Sequence, residues 1–305
     1  MKKYIVLCLS FLVVFSCTNN DDPTFQIKET HLIFIGLDGL GGYNFDKTLS
    51  NMPNVRQYSK EGIYTDQKQA VSPTASGPNW ASIFMGTTPE VHGYLKWDSK
   101  APAEPYPFEV KNNIFPTISQ ILRNEKPSSE IGMFCQWAGI KYLVDTLSIN
   151  YNRHIPLTDS SGHSLFTDSV SIYLKKYKPS LCTIVFDDPD HTGHNDGYFS
   201  INYYSVLEVL DNCIGRIVQS VKEAGYYDDT VFIITSDHGG NGFSHGGDTQ
   251  EEKQTCFFMW GKGIKPMGYV DDSLEQQDVA FIMANILGIN IPALWTGKPH
   301  ANYFK

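Results

Sequence analysis

Basic residues are in short supply in this 305-residue chain: 24 Lys and Arg face 33 Asp and Glu, for a formal charge of −9. No Lys/Arg cluster interrupts that deficit, so the electrostatic footprint that follows a nucleic-acid backbone is missing. A nucleic-acid polymer is therefore not an expected partner, and a small phosphorylated ligand would need metal ions to supply positive charge. Long apolar runs are also lacking, because the stretch Tyr4 to Phe15 is too short to span a bilayer as a mature helix. No internal repeat is visible, and Ala101 to Pro107, with three prolines, is the one long irregular loop. What remains, 41% apolar and 13% aromatic residues, excludes disorder, collagen and a coiled coil. It leaves enough chain for a sizeable core in one or two domains.

Lys2 and Lys3 ahead of the first apolar run give the N-terminus the form of an export signal. Val14-Phe15-Ser16-Cys17 resembles a bacterial lipobox, which makes residues 1–16 a lipoprotein signal peptide and Cys17 the lipidated first residue of the mature chain. A plain secretory signal is the alternative. Thr18 to Thr24 is polar, acidic and proline-containing, so residues 17–30 read as a flexible tether. The expected location is the bacterial outer membrane, lipid-anchored and facing the periplasm or the exterior. Once Cys8 leaves with the signal and Cys17 carries lipid, Cys135, Cys182, Cys213 and Cys256 remain. An oxidising compartment permits disulfides among them, but Cys135, Cys182 and Cys256 lie in apolar strand-like runs, where a buried free thiol is the commoner state. Their spacing is not that of a zinc site.

Residues 31–305 read as a single domain in which apolar strands alternate with amphipathic helices, the signature of an α/β fold with a largely parallel central sheet flanked by helices on both faces. Strands are expected at His31–Leu37, Ile131–Cys135, Leu181–Phe186, Val231–Thr235 and Thr255–Trp260. The best helix carries Tyr203, Val206, Leu207, Leu210, Ile214, Ile217, Val218 and Val221 at three- and four-residue steps, and Gly225 closes it. Further helices are expected at Pro53 to Glu61, Pro78 to Met85, Ile114 to Arg123, Phe166 to Tyr177 and Glu275 to Leu287.

Chemically active residues gather where strands end, which is where α/β proteins place their ligands. Asp38 precedes Gly39 after the first strand. After the third, Asp190 and His194 lie four apart around Gly193, spaced to reach one ion. The fourth strand runs into Asp237-His238-Gly239-Gly240, with His245 seven residues beyond His238. These three carboxylates and three imidazoles suffice for two divalent ions, and the mixed oxygen and nitrogen donors suit zinc, with manganese or iron as the other fits. Ser76 precedes Gly77-Pro78, so it falls at a helix amino terminus. There it is either a cap or a nucleophile helped by free N–H groups and the positive helix end.

As an ordered set, these segments resemble the alkaline phosphatase superfamily, and within it the nucleotide pyrophosphatase/phosphodiesterase-like branch. Pro73-Thr74-Ala75-Ser76-Gly77-Pro78-Asn79 matches the branch's nucleophile segment with serine in place of threonine, and Gly86 to Gly93 matches the stretch that follows it. The resemblance implies an alkaline phosphatase-like fold and a phosphoric ester hydrolase acting through Ser76. It assigns one zinc to Asp38, Ser76, Asp237 and His238, and the other to Asp190, His194 and His245, with His300 as the fallback for His245. Trp97 stands where the branch has an asparagine that contacts the phosphoryl group. Either another donor, Asn79 or a helix N–H, fills that role or the substrate lies differently, and Trp97 either stacks on substrate or shapes the pocket wall. The leading function is a phosphodiesterase or nucleotide pyrophosphatase acting on a phosphorylated small molecule, with no obligate protein partner. A phosphomonoesterase follows, then a sulfatase, for which Ser76-Gly77-Pro78-Asn79-Trp80 lacks the required arginine. The non-enzyme alternative is a ligand-binding lipoprotein on an inactive scaffold.

Overall fold

The computed structural model describes residues 30–158 and 162–305. The expected signal peptide, Cys17 and the expected tether before Thr30 lie outside the described residues. The strands are β1 (His31–Leu37), β2 (Ile63–Gln69), β3 (Ile131–Cys135), β4 (Tyr151–His154), β5 (Leu181–Phe186), β6 (Thr230–Thr235), β7 (Gln254–Gly261) and β8 (Gly268–Tyr269). They form one eight-stranded sheet in the order β4-β3-β5-β1-β6-β7-β2-β8. β7 pairs antiparallel with both β6 and β2, and the remaining pairings are parallel. The α-helices are α1 (Phe45–Ser50), α2 (Pro53–Ser59), α3 (Ser76–Met85), α4 (Pro89–His92), α5 (Ile118–Glu125), α6 (Gly162–Tyr177), α7 (Asp190–Asp196), α8 (Ile201–Glu223), α9 (Gln250–Lys253) and α10 (Asp278–Leu287).

β1 shows why its sequence is apolar throughout. Leu32 and Phe34 join the core shared with Trp80, Phe84, Leu122 and Ile282, whereas Ile33, Ile35 and Leu37 join the opposite core with Val55, Phe166 and Leu210. A strand covered on both faces has no solvent side and loses the polar half of its alternation. α8 buries Leu207, Leu210, Ile214, Ile217 and Val221. The Ser200 side chain caps its start, and Gly225, at φ +76°, follows its end. The α/β class, the largely parallel sheet and the helices on both faces are as expected.

Several boundaries differ from the sequence reading. α3 begins at Ser76 instead of Pro78, and α10 begins at Asp278 instead of Glu275. β2 is an additional strand, unannounced because Ile63–Gln69 is largely polar; pairing with β7 and β8 holds it in the sheet. β4 is a short, mostly exposed edge strand with little apolar signal. Cys135, Cys182, Cys213 and Cys256 are all buried free thiols. Among the described residues no helix is long and apolar enough to cross a membrane.

Strand order is what builds the site. β5, β1 and β6 are neighbours in the sheet and parallel, so their carboxyl ends share one edge. Asp38, the Asp187–Asp190 turn and Asp237-His238 all leave from that edge.

Candidate active site

Ser76 is the first residue of α3, with Ala75 as its extended N-cap. Its Oγ lies 3.2 Å from His238 Nε2, and the residue is 8% exposed. The same Nε2 lies 3.2 Å from Asp237 Oδ2 and 3.5 Å from Asp38 Oδ1. Both of those carboxylate oxygens are buried without a hydrogen-bond partner. The other oxygen of each is taken: Trp80 Nε1 donates to Asp38 Oδ2 at 3.0 Å, and the Gly39 N–H donates to Asp237 Oδ1 at 3.1 Å. Gly39 has φ +74°, and a Cβ there would fall 2.8 Å from Asp190 Cα, so the backbone passage between Asp38 and Asp190 requires glycine.

Asp190 and His194 face each other from one turn of α7, with His194 Nε2 at 3.4 Å from Asp190 Oδ2. Gly193 makes room for the Tyr198 ring, whose hydroxyl donates to Asp190 Oδ1. His245 completes the group, with Nε2 at 3.5 Å from Asp190 Oδ1 and 3.1 Å from His194 Nε2. Its ring stacks on His238 with centroids 3.8 Å apart.

A common device orients the imidazoles. His238 Nδ1 meets the Gly239 carbonyl at 2.8 Å, His194 Nδ1 the Phe243 carbonyl at 2.9 Å and His245 Nδ1 the Thr74 carbonyl at 2.7 Å. A carbonyl only accepts, so each Nδ1 carries a proton, and in the neutral imidazole it is Nε2 that presents the lone pair toward the carboxylates. Backbone carbonyls orient metal-binding histidines in the same way.

The electrostatics of the protein atoms alone are unfavourable. Burial, followed by the charge of Asp237, pushes the Asp38 carboxyl well above its usual range. Burial raises Asp237 to about 6 and lowers His238 to about 3. Each shift disfavours the ionised form. Two sets of donor atoms converge within 4.8 Å, Asp38/Asp190/His238 and Asp190/His194/His245, with Asp190 in both. Unpartnered carboxylate oxygens and bare imidazole nitrogens that converge in this way fit divalent cations, which would reverse the electrostatic penalty.

A cavity of about 650 Å³ opens in front of these residues and is lined by Asp38, Ser76, Asp190, His194 and His245. Lys96, Trp97, Asp98, Trp137 and Asp187 also line it. Trp97 is 60% exposed and stacks loosely on Trp137, with centroids 6.5 Å apart. Burial, with the charges of Asp190 and Asp188, lifts the Asp187 carboxyl to about 6.

Two sequence expectations change. Asn79 is fully buried and does not line the cavity. Its amide donates to the Ala75 and Pro73 carbonyls at 2.9 and 3.1 Å and its Oδ1 accepts from Val71 N–H at 2.8 Å, so it braces the turn that presents Ser76. His300 is bonded to Asp278 at 2.8 Å and stacks on Tyr303, away from the cavity; His245 takes the position beside Asp190. Trp80, Thr74 and Tyr198 join the site without having been expected from the sequence. Only Trp80 carries a signal, four residues beyond Ser76 and hence on the same helix face. The links from Thr74 to Gly246 and from Tyr198 to Asp190 are long-range or loop contacts without periodicity.

Residues 32–257 match the family model described as type I phosphodiesterase / nucleotide pyrophosphatase. The human bis(5'-adenosyl)-triphosphatase ENPP4 is 25% identical over 256 residues, 78% of this chain and 53% of that protein. Venom phosphodiesterase 2 of Crotalus adamanteus is 24% identical over 229 residues, 70% of this chain and 27% of the other. The chain thus spans about half the length of the first of these relatives and about a quarter of the second. Among solved structures, murine ectonucleotide pyrophosphatase/phosphodiesterase 5 superposes with a TM-score of 0.71 at 15% identity, covering 90% of this chain and 100% of that one. A 2-O GAG sulfatase superposes with a TM-score of 0.70 at 13% identity, covering 90% and 74%. The two superpositions share one fold, and the family model covers most of the described residues. The chain belongs to the type I phosphodiesterase / nucleotide pyrophosphatase family.

Proposed function

We propose that this chain is a metal-dependent phosphodiesterase or nucleotide pyrophosphatase in which Ser76 is the nucleophile. The observation that carries the reading is the position of Ser76 Oγ, 3.2 Å from His238 Nε2, in front of two converging sets of donor atoms. Asp38, Ser76, Asp237 and His238 would hold one divalent ion, and Asp190, His194 and His245 the other, with zinc favoured by the mixed donors. When bound, two such ions supply Lewis acidity and about four positive charges to an acidic cleft.

The chain's own groups do the rest. The first-turn N–H groups of Ser76 and Gly77 have no carbonyl partner within α3 and are available to phosphoryl oxygens. Attack by Ser76 Oγ forms a P–O bond to the serine as the bond to the leaving oxygen breaks, and the serine's proton ends on that leaving oxygen through solvent. Water then cleaves the serine ester and restores the hydroxyl. Trp80 and Gly39 hold Asp38 and Asp237 with their free oxygens toward His238, and carbonyls hold the three imidazoles. Trp97 and Trp137 offer flat apolar area to an organic leaving group, which favours diesters carrying one.

The proposed setting is exported and lipid-anchored through Cys17, with a small phosphorylated substrate. Loss of fatty-acid labelling in Cys17→Ala checks the anchor. The function itself is tested by comparing the zinc-loaded chain lacking residues 1–22 on bis-nitrophenyl phosphate and nitrophenyl phosphate. The diester is expected to turn over faster, and Ser76→Ala to lose at least about a thousandfold in kcat. Faster monoester turnover would make the chain a phosphatase, and full activity in Ser76→Ala would remove the serine from the chemistry.

A further inference from the structure

β2 carries a lysine where a core-facing strand position ordinarily holds an apolar residue. Lys68 is fully buried, and its Nζ donates to the Ser236 carbonyl at 2.7 Å and to Gln276 Oε1. Both acceptors are neutral oxygens, so the charge is not offset by a carboxylate through either bond. Burial lowers its pKa to about 7. Ammonium and amine forms can each donate both bonds. Burying a lysine whose direct partners are neutral is costly, and the nearby charge of Asp237 offsets only part of that cost.

The cost is explained by what those bonds connect. Gln276 is also fully buried, and its Nε2 donates to the Asp237 carbonyl and, at 3.0 Å, to Asn79 Oδ1. Asn79 in turn holds the Pro73 and Ala75 carbonyls on the turn that presents Ser76. Lys68, Gln276 and Asn79 therefore form one chain of hydrogen bonds beneath the site. It joins the end of β6, which carries Asp237 and His238, to the start of α3, which carries Ser76.

We propose that Lys68 is a positioning residue: through Ser236 and Gln276 it keeps the Asp237-His238 backbone and the Ser76 turn in register, so that Ser76 Oγ and the Asp237 and His238 donor atoms converge. The proposal rests on the role given to Ser76 above. An apolar residue of similar length would preserve the packing while removing the donor and its charge, so metal affinity and kcat, not stability alone, test the role.

The test is Lys68→Met in the otherwise unchanged chain. Zinc affinity is read by competition with a chromophoric chelator, kcat and KM on bis-nitrophenyl phosphate, and thermal unfolding on the metal-free protein. Zinc affinity at one site and kcat should each fall about tenfold or more, as for lost outer partners of metal ligands. KM should stay within about twofold, and the metal-free protein should melt somewhat lower than the parent, because Gln276 Oε1 and the Ser236 carbonyl lose their buried donor. Affinity and kcat both within about twofold of the parent would overturn the proposal, as would a lower melting temperature with affinity and kcat unchanged. Where Lys68→Met does not fold, Gln276→Glu keeps an acceptor for Lys68 but removes the donor to Asp237 and Asn79; the same losses are expected, and parental values would overturn the proposal. A parent chain without diester turnover would sink the function proposed above, while the zinc competition would still decide the role of Lys68.

Discussion

The Nε2 atoms of His194 and His245 face each other at 3.1 Å, although each ring gives its Nδ1 proton to a backbone carbonyl. In the neutral rings these are two lone pairs, which repel at that distance and are drawn together by a cation between them. The unpartnered oxygens of Asp38 and Asp237 pose the same problem on the other side of Asp190. The converging donors are thus arranged as a pair of divalent ions would need them.

Metal binding should therefore appear as stability as well as activity. At a free zinc concentration of about 100 times the dissociation constant, each site adds about 2.7 kcal/mol. Thermal unfolding with zinc against chelator should show a large upward shift, and native mass spectrometry about two ions per chain. Identical melting with and without metal would argue against both sites.

His245 and His300 make contrasting predictions. His245→Ala should lose one of the two ions and lower kcat by about a hundredfold, by analogy with other metal-site changes. His300→Ala removes a bond to buried Asp278 and should cost about 1–3 kcal/mol of stability while leaving zinc stoichiometry and kcat intact. Metal analysis and denaturant unfolding of the two variants distinguish the outcomes.

Trp80 acts through Asp38. Trp80→Phe keeps most of the packing but leaves Asp38 Oδ2 without its 3.0 Å donor. The orphaned oxygen should cost about 1–3 kcal/mol, and zinc affinity should fall about tenfold as the carboxylate loses its orientation. A parental zinc titration would show that the indole bond is not needed to aim Asp38.

Asp187 gives a pH signature in the metal-free protein. Its carboxyl is raised to about 6, so the folded state binds its proton more tightly than the unfolded state. The associated stability is fully present below about pH 4 and is lost as pH rises through about 6. Asp187→Asn should flatten that limb and, above pH 6, stabilise the metal-free chain by about 1–3 kcal/mol. Unfolding curves from pH 4 to 8 in chelator test this; an unchanged pH profile would contradict it.

Much of the site is legible in the amino-acid sequence. Aspartates and histidines beside glycines at the ends of apolar strands are local patterns, and the ordered motifs around Asp38, Ser76, Asp190 and Asp237 belong to one family. The strands β1, β3 and β5 fall where apolar runs predict them, because a strand buried on both faces announces itself by composition alone. β2 does not, since its polar residues, Lys68 among them, are accommodated by partners distant in the chain.

Residue types, helical and strand periodicities and the family motifs were thus determined by the sequence itself, because each depends on neighbours a few positions away. The tertiary structure decided which of those residues meet. It set β1 between β5 and β6, reversed β7, chose His245 over His300 beside Asp190, turned Asn79 into a brace, and placed Lys68 behind Asp237. Those outcomes depend on strand order and on contacts between segments up to some 200 residues apart, which local periodicity does not encode.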